Sequence, residues 1–373
     1  MRFILQVIAS WILAYLLVSW LTPVSIQETT TELRNLVRWE VSEQLEWSSI
    51  QTPTPLMSWD LEEQLVEAVT VTEPSVVSII ASREIDFFQR SPQLRQVWGW
   101  SWVVINDEWY ILTNRHVVDS DELTYQAIFA DWTVAEITNV WQDPIVDLAV
   151  VKVADWTPLP QSALFSPRNR TIPLGQFTYA IGNALAEYQN SVTLWIISGK
   201  DRKIQTMSQD LYVWLYQTDT SISMGNSWWP LYTLDGNVIG INTAVSAVWE
   251  NIWFAIPVSE ELVQATLDTI EQNWSIIRPF VWIRYIDIDP LLAAERALPV
   301  TQWVAVEAVV PDSWADQWWV QAWDLITAIN GLPISADTPF LYQLFSYVPG
   351  DTITLTYLRD WFERSSEIVV WRQ

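Results

Sequence analysis

The chain has no cysteine among its 373 residues, which excludes disulfides, thiolate metal sites and cysteine nucleophiles. Histidine occurs once, as His116, so a histidine-built zinc site, which draws on several ligands, is argued against as well. Nothing in the composition asks for a metal or a cofactor. Basic residues are few, 19 Lys and Arg against 44 Asp and Glu, for a net charge of −25. A nucleic-acid partner requires a basic face and is therefore not expected. The acidic balance favours solubility and identifies no ligand. Glycine is also scarce, with 9 residues where an average chain of this length carries about 26.

Tryptophan is in excess, with 27 residues. Adding it to the glycines restores an ordinary glycine content for a turn-rich β chain. Position argues the same way. Trp109 follows Asn106-Asp107-Glu108 and precedes Tyr110-Ile111-Leu112, where a hairpin asks for Asp or Asn and then glycine. Trp132 follows Asp131, Trp361 follows Asp360, Trp323 precedes Asp324-Leu325-Ile326, and Trp318-Trp319 form an adjacent pair. Genuine tryptophans concentrate in cores and interfaces, not at turn apices. The expectation is that these positions are glycines, encoded by UGA and rendered as tryptophan by the standard code. A Trp-rich but genuine sequence is the alternative. The two part on φ and burial, because a bulky residue at positive φ is an outlier.

The length suits two or three domains. Phe3 to Ile26 is apolar and nearly uncharged behind Arg2, long enough to cross a bilayer as a helix. With no small-x-small cleavage site near Pro23, a signal anchor over 1–27 is favoured over a cleaved signal peptide, with Arg2 on the cytoplasmic side. Residues 28–58 are polar, include Gln51-Thr52-Pro53-Thr54-Pro55, and read as a linker. A short helix is expected over Leu61 to Val69, then short apolar runs separated by turns: Ser75–Ile80, Val103–Ile105, Tyr110–Thr113, Ala127–Phe129, Ala135–Val140 and Leu148–Val153. A second train covers Thr178–Ile181, Ser191–Ser198, Tyr212–Thr218, Pro230–Leu234, Val238–Asn242 and Ile252–Ile256. Such trains predict a mainly β barrel or sandwich. A helix follows Pro257 and Ser259, with Leu262, Val263, Leu267 and Ile270 at helical spacing. Asn273-Trp274-Ser275 marks a boundary. Beyond it, strands are expected near Val281–Tyr285, Val304–Val309, Asp324–Ile329 and Ile353–Tyr357. A helix there is expected to start with Thr338 as N-cap and Pro339 in its first turn.

The chemistry-bearing residues lie in three of these runs. His116 sits in Thr113-Asn114-Arg115-His116-Val117-Val118, just after a strand. Asp147 opens the apolar run Asp147-Leu148-Ala149-Val150, and Asp143 is a rival carboxylate four residues earlier. Ser227 lies in Met224-Gly225-Asn226-Ser227-Trp228-Trp229-Pro230-Leu231. A serine that attacks a carbonyl needs an imidazole to take its proton and a carboxylate to orient that imidazole. His116, Asp147 and Ser227 supply those groups in that chain order.

From about Leu61 onward the chain resembles the HtrA/Deg family of trypsin-like serine proteases. With tryptophan read as glycine, the resemblance rests on Gly-Ser-Gly at 100–102, Tyr-Ile-Leu-Thr-Asn-x-His-Val-Val at 110–118, Asp-Leu-Ala-Val at 147–150 and Gly-Asn-Ser-Gly-Gly-Pro-Leu at 225–231. Val238-Ile239-Gly240-Ile241-Asn242-Thr243 and Phe254-Ala255-Ile256-Pro257 add to it. It implies a two-barrel protease domain over 59–272, with Ser227 as nucleophile, His116 as general base and then acid, and Asp147 as its orienter. The N–H groups of Gly225 and Ser227 would form the oxyanion hole, in a segment where Met224 departs from the family's usual residue. Ser221, Ile222 and Met224 would line the substrate pocket. Ser221 carries no charge at its floor, which favours small or medium aliphatic P1 side chains over Arg or Lys.

Residues 275–373 resemble a PDZ domain. Arg278-Pro279-Phe280-Val281-Trp282-Ile283 stands for the carboxylate-binding loop, with Phe280, Val281, Trp282 and Ile283 as peptide-binding residues, and Ala322-Trp323-Asp324-Leu325-Ile326 with Ile329-Asn330-Gly331 stand for the central strand and turn. A partner's C-terminal peptide would add as a strand there. Together these imply a membrane-tethered, extracytoplasmic serine endopeptidase of protein quality control. Its partners would be unfolded polypeptides and C-terminal peptides, and it would assemble as a homotrimer. Two alternatives stay open: a catalytically silent, chaperone-like peptide binder if Trp228 and Trp229 are genuine, and a regulatory protease that cuts one signalling substrate.

Overall fold

The two trains of short apolar runs fold into two separate β systems, and a third follows the boundary at Trp274. The computed structural model describes residues 58–85, 93–120, 122–154, 161–184, 188–205, 211–219, 229–243, 252–288, 290–296, 298, 303–310 and 320–372. The chain separates into units at Leu61/Glu62. The anchor expected at 1–27 and nearly all of the linker lie outside the described residues, among which no helix is long and apolar enough to cross a membrane.

Helix α1 (Ser58–Thr72) leads into β1 (Val76–Ile85), β2 (Gln93–Val104), β3 (Tyr110–Thr113), β4 (Thr124–Ile128), β5 (Val134–Gln142) and β6 (Ala149–Val153). These six strands close into a barrel in the order β1-β2-β3-β6-β5-β4. Its interior collects Val77, Ile79, Trp102, Ile111, Ala127, Phe129 and Val151, all at most 2% exposed. β3 is buried at all four positions, so it reads as a continuous apolar run and not as an alternating one.

β7 (Leu164–Phe165), β8 (Phe177–Ala184), β9 (Tyr188–Gln205), β10 (Leu211–Thr218), β11 (Pro230–Thr233), β12 (Asn237–Thr243) and β13 (Trp253–Pro257) form the second system. Because β11 pairs with both β8 and β12, six of these strands close on themselves and β7 hangs from β12. A hydroxyl network joins the end of α1 to this barrel. Thr72 Oγ1 lies 2.9 Å from the Tyr179 hydroxyl and Ser75 Oγ 3.2 Å from that of Tyr232, and the two tyrosine rings stack at 5.2 Å. Burial pushes the Tyr179 hydroxyl up to about 12, although Thr72 hydrogen-bonds it.

Helix α2 (Glu260–Asn273) follows. Ser259 caps it by accepting from the Leu262 N–H at 3.2 Å, and Glu260 and Glu261 favour the positive N-terminal end. Leu262, Leu267 and Ile270 are buried, each worth about 1.5–3 kcal/mol of apolar transfer. The helix ends at Trp274, in the left-handed region at φ 55°, a position that ordinarily belongs to glycine.

The C-terminal system comprises β14 (Pro279–Phe280), β15 (Ile283–Asp287), α3 (Pro290–Arg296), β16 (Val304–Val309), β17 (Leu325–Ile329), β18 (Leu332–Pro333), α4 (Phe340–Leu344), β19 (Thr352–Arg359), β20 (Phe362–Val369) and β21 (Trp371–Arg372). Its main sheet runs β15-β16-β17-β19-β20, with β18 beside β17 and a separate β14–β21 pair. Among the described residues β15 is therefore an edge strand. It begins at Ile283, two residues later than the apolar run predicted, because Val281 packs into the core before the strand starts. The predicted cap of α4 also needs correction. Pro339 is the N-cap, while the Thr338 hydroxyl donates to the Pro333 carbonyl at 2.6 Å.

Nine described non-glycine residues have positive φ, and six are tryptophans: Trp109 (68°), Trp132 (68°), Trp214 (56°), Trp274 (55°), Trp323 (72°) and Trp361 (67°). The left-handed region brings Cβ against the next carbonyl oxygen, at a cost of about 1–2 kcal/mol. Trp132, Trp274, Trp323 and Trp361 are 67, 71, 53 and 59% exposed. Trp109 packs partly against the first barrel's core. Among the described residues, the indole nitrogens of Trp102, Trp229 and Trp282 are buried without a hydrogen-bond partner, an arrangement that costs about 1–3 kcal/mol per group.

Candidate active site

β3 ends at Thr113, and after Asn114 a single 3-10 turn, Arg115–Val117, lifts His116 out of the barrel wall. Its side chain keeps 40% of its surface open, whereas Asp147 beside it is 1% exposed. His116 Nδ1 lies 2.7 Å from Asp147 Oδ2 and 2.9 Å from Oδ1. A carboxylate at Nδ1 holds the proton on that nitrogen, which leaves the Nε2 lone pair to accept one. Three further donors fix the carboxylate. The His116 N–H reaches Oδ1 at 3.1 Å, and Asn114 Nδ2 and Thr243 Oγ1 reach Oδ2 at 3.2 and 3.0 Å.

Asp143, the rival carboxylate, has another role. It is fully buried, and its Oδ1 accepts the N–H groups of Ile145 and Val146 at 2.8 and 3.0 Å. Its own N–H donates to the Leu148 carbonyl at 2.9 Å, closing the loop that presents Asp147. Arg115 Nη1 donates to the Asp143 carbonyl, tying the histidine's turn to that loop. Asp143 thus builds the carboxylate's platform and leaves the imidazole to Asp147.

Ser221, Ile222, Met224, Gly225 and Ser227 lie outside the described residues, as does Trp228. The chain re-enters at Trp229, whose carbonyl accepts from the Asn242 N–H at 3.0 Å and from Asn242 Nδ2 at 2.7 Å. Asn242 precedes Thr243, the donor to Asp147. Trp229 itself is fully buried in the second barrel with Ile172, Ala180, Ile197 and Leu231. Its indole packs directly over Gly182, leaving no room for a Cβ there.

Of the residues expected to bind a C-terminal peptide, Val281 and Ile283 are buried in the core beneath the sheet. Phe280 and Trp282 are half-buried and meet edge to face at 5.2 Å. Arg278, which opens that loop, is turned away from it: Nε and Nη2 lie 2.6 and 2.5 Å from Asp143 Oδ2. This pairing has no local sequence signal, and neither do the donors Asn114 and Thr243. Both donors belong to the strand-end motifs, but only folding brings them to Asp147, since Thr243 is 96 residues away.

Two antiparallel barrels, with a histidine–aspartate pair raised from the first and braced by a threonine from the second, define the fold of a trypsin-like serine protease. The family model described as "Trypsin-like peptidase domain" matches residues 101–241. The "Putative serine protease HhoA" of Synechocystis sp. is 31% identical over 314 residues, covering 76% of this chain and 77% of that protein. A "Probable periplasmic serine endoprotease DegP-like" of Ectopseudomonas mendocina is 30% identical over 301 residues, covering 76% of this chain. That match spans 61% of the relative's own length. Among solved structures, "HtrA-type protease AlgW with decapeptide" aligns with a TM-score of 0.56 at 26% identity, covering 83% of this chain and 98% of that one. The chain belongs to the HtrA/Deg family of trypsin-like serine proteases.

Proposed function

We propose that the chain is an extracytoplasmic serine endopeptidase that cleaves unfolded or misfolded polypeptides. Ser227 is its nucleophile, His116 its general base and then acid, and Asp147 the orienter. The observation that carries this reading is the His116–Asp147 pair, with Nδ1 engaged and the carboxylate held by donors from both barrels. In the reaction, Nε2 takes the Ser227 hydroxyl proton as the oxygen attacks the carbonyl carbon, and later returns a proton to the departing amine. The N–H groups of Gly225 and Ser227 receive the developing oxyanion. One such donor is typically worth about 2.7–4 kcal/mol. The uncharged Ser221, with Ile222 and Met224, favours aliphatic P1 residues.

The finer parts of the reading have their own supports. An anchor over 1–27 and a linker over 28–58 follow from the apolar N-terminal run and the polar segment after it. The periplasmic relative supports an extracytoplasmic catalytic domain. A peptide-binding PDZ domain over 275–373 is supported by the open edge of β15, and a homotrimer by the family alone. Glycine at the tryptophan positions is supported by the six positive-φ tryptophans and the three orphaned indole nitrogens. The silent, peptide-binding alternative is favoured by the burial of Trp102, Trp141, Trp195, Trp214, Trp229 and Trp253, each at most 7% exposed.

Labelling with a serine-directed organophosphorus reagent tests the assignment. The chain made with glycine at all 27 tryptophan positions should be modified at Ser227, and Ser227→Ala should abolish both modification and hydrolysis, with a loss in kcat of roughly 10⁶. Labelling elsewhere, or turnover that survives the substitution, would refute the nucleophile.

A further inference from the structure

Asn114 occupies the N-cap of the 3-10 turn that carries His116, yet its side chain makes no capping hydrogen bond. Asparagine is among the strongest N-cap residues because its side-chain oxygen accepts the first free N–H groups of a helix. Here the amide has been turned to other use. Fully buried, it donates from Nδ2 to the Asp147 carbonyl at 3.0 Å and to Asp147 Oδ2 at 3.2 Å. Its Oδ1 finds no hydrogen-bond donor among the described residues. Leaving a buried acceptor unmet is unfavourable, so this orientation persists because the opposite one would point the amide oxygen at a carboxylate.

We propose that Asn114 is a positioning residue for proteolysis, which sets the orientation and charge distribution of Asp147 and acts on His116 through it. The proposal rests on His116 and Asp147 serving as base and orienter. Asp147 Oδ2 is shared by three donors: His116 Nδ1, Thr243 Oγ1 and Asn114 Nδ2. Thr243 belongs to the second barrel, so it fixes the carboxylate against the part of the chain that leads from Ser227. Asn114 belongs to the first barrel and is two residues from His116, so it fixes the same oxygen against the imidazole's own turn. The carboxylate cannot rotate about its Cβ–Cγ bond without breaking one of these. The neighbouring charges do not substitute for the amide, because Arg115 is spent on the Asp143 carbonyl and Asp143 on Arg278. Removing the amide leaves a hydrogen-bonding site of Oδ2 unfilled in a dry environment, so the carboxylate draws more strongly on the imidazolium.

The single histidine makes the test direct, since every imidazole signal in the full chain arises from His116. Asn114→Leu removes the donor at similar volume. Asn114→Asp places a second carboxylate beside the first, and like charges raise proton affinity around them. In the full chain carrying glycine at the tryptophan positions, imidazole titration by ¹⁵N NMR should move to higher pH in Asn114→Leu and further in Asn114→Asp. The Nδ1–H proton resonance should be displaced in both. With a peptide substrate, kcat should fall by about 10- to 100-fold in Asn114→Leu with KM unchanged, the loss expected from one hydrogen bond to a charged group. An unmoved titration and Nδ1–H resonance in folded variants would overturn the proposal and leave Asn114 a structural residue. Should Asn114→Leu fail to fold, the near-isosteric Asn114→Asp carries the same readouts. Absence of hydrolysis by the parent protein would count against the protease reading instead, while the imidazole signals would still decide the role of Asn114.

Discussion

Arg278 Nη2 lies 2.5 Å from Asp143 Oδ2, and neither side chain is more than 2% exposed. The pair joins the segment leading into the C-terminal sheet to the loop that presents Asp147. The guanidinium also stands 5.2 Å from the centre of the Phe345 ring, in cation–π range. Asp143 divides its carboxylate, with Oδ1 shaping the 143–148 loop and Oδ2 receiving Arg278. Arg278→Met should therefore destabilise the chain by about 3–5 kcal/mol, because it leaves a buried carboxylate unpaired. The neutral double variant Arg278→Met/Asp143→Asn should recover part of that loss. Denaturant melts of both would show it, and equal losses would mean that the ion pair is not the source.

A surface carboxylate supplies a test by pH. Burial pushes Asp235 up, but Arg170, Thr233 and Asn237 hydrogen-bond it and together hold it at about 2. A carboxyl held lower in the folded state than in the unfolded chain stabilises the fold above the ordinary aspartate range near 4. That contribution disappears as pH falls through about 2. Arg170 Nη1 and Nη2 reach the two carboxylate oxygens at 2.7 and 3.1 Å, and the site is half exposed, so the effect is at most about 1 kcal/mol. Asp235→Asn should lower stability at pH 6 and match the parent near pH 2. Salt should narrow the difference at pH 6, and a gap that persists in acid would contradict this origin.

The turn tryptophans give a stability prediction that compares three residues at one position. At Trp132, Trp274 and Trp361, all at positive φ and mostly exposed, glycine should be the most stable choice. Alanine should fall below glycine by about 1–2 kcal/mol, because any Cβ meets the same clash in the left-handed region. Thermal melts of the three Gly and Ala pairs would measure this. Alanine equal to glycine at all three would remove the backbone argument for glycine there.

The strands and the helix after Ser259 were legible because their burial patterns are local: the run 110–113 is wholly apolar or small, and Leu262, Val263, Leu267 and Ile270 recur at helical spacing. His116 and Asp147 were legible from their motifs. Asp147 could be preferred to Asp143 because it alone opens an apolar strand run; what was hidden is that Asp143 turns toward Arg278, 135 residues away. Thr243 and Asn114 were hidden for a similar reason, since a threonine or asparagine in a strand-end motif has no signature until its partner arrives. The cap of α4 went astray because Thr338-Pro339 fits a helix start one residue early, and the Pro333 carbonyl competes for the Thr338 hydroxyl.

Glycines at the tryptophan positions are proposed to make this chain a working serine protease. Cleavage of an unfolded polypeptide such as casein by three proteins side by side decides this. One carries the sequence as written, one has glycine at all 27 tryptophan positions, and one is the glycine form with Ser227→Ala. Cleavage by the glycine form alone is the result expected. Cleavage by the Ser227→Ala protein, or by the tryptophan form at the rate of the glycine form, would contradict the account.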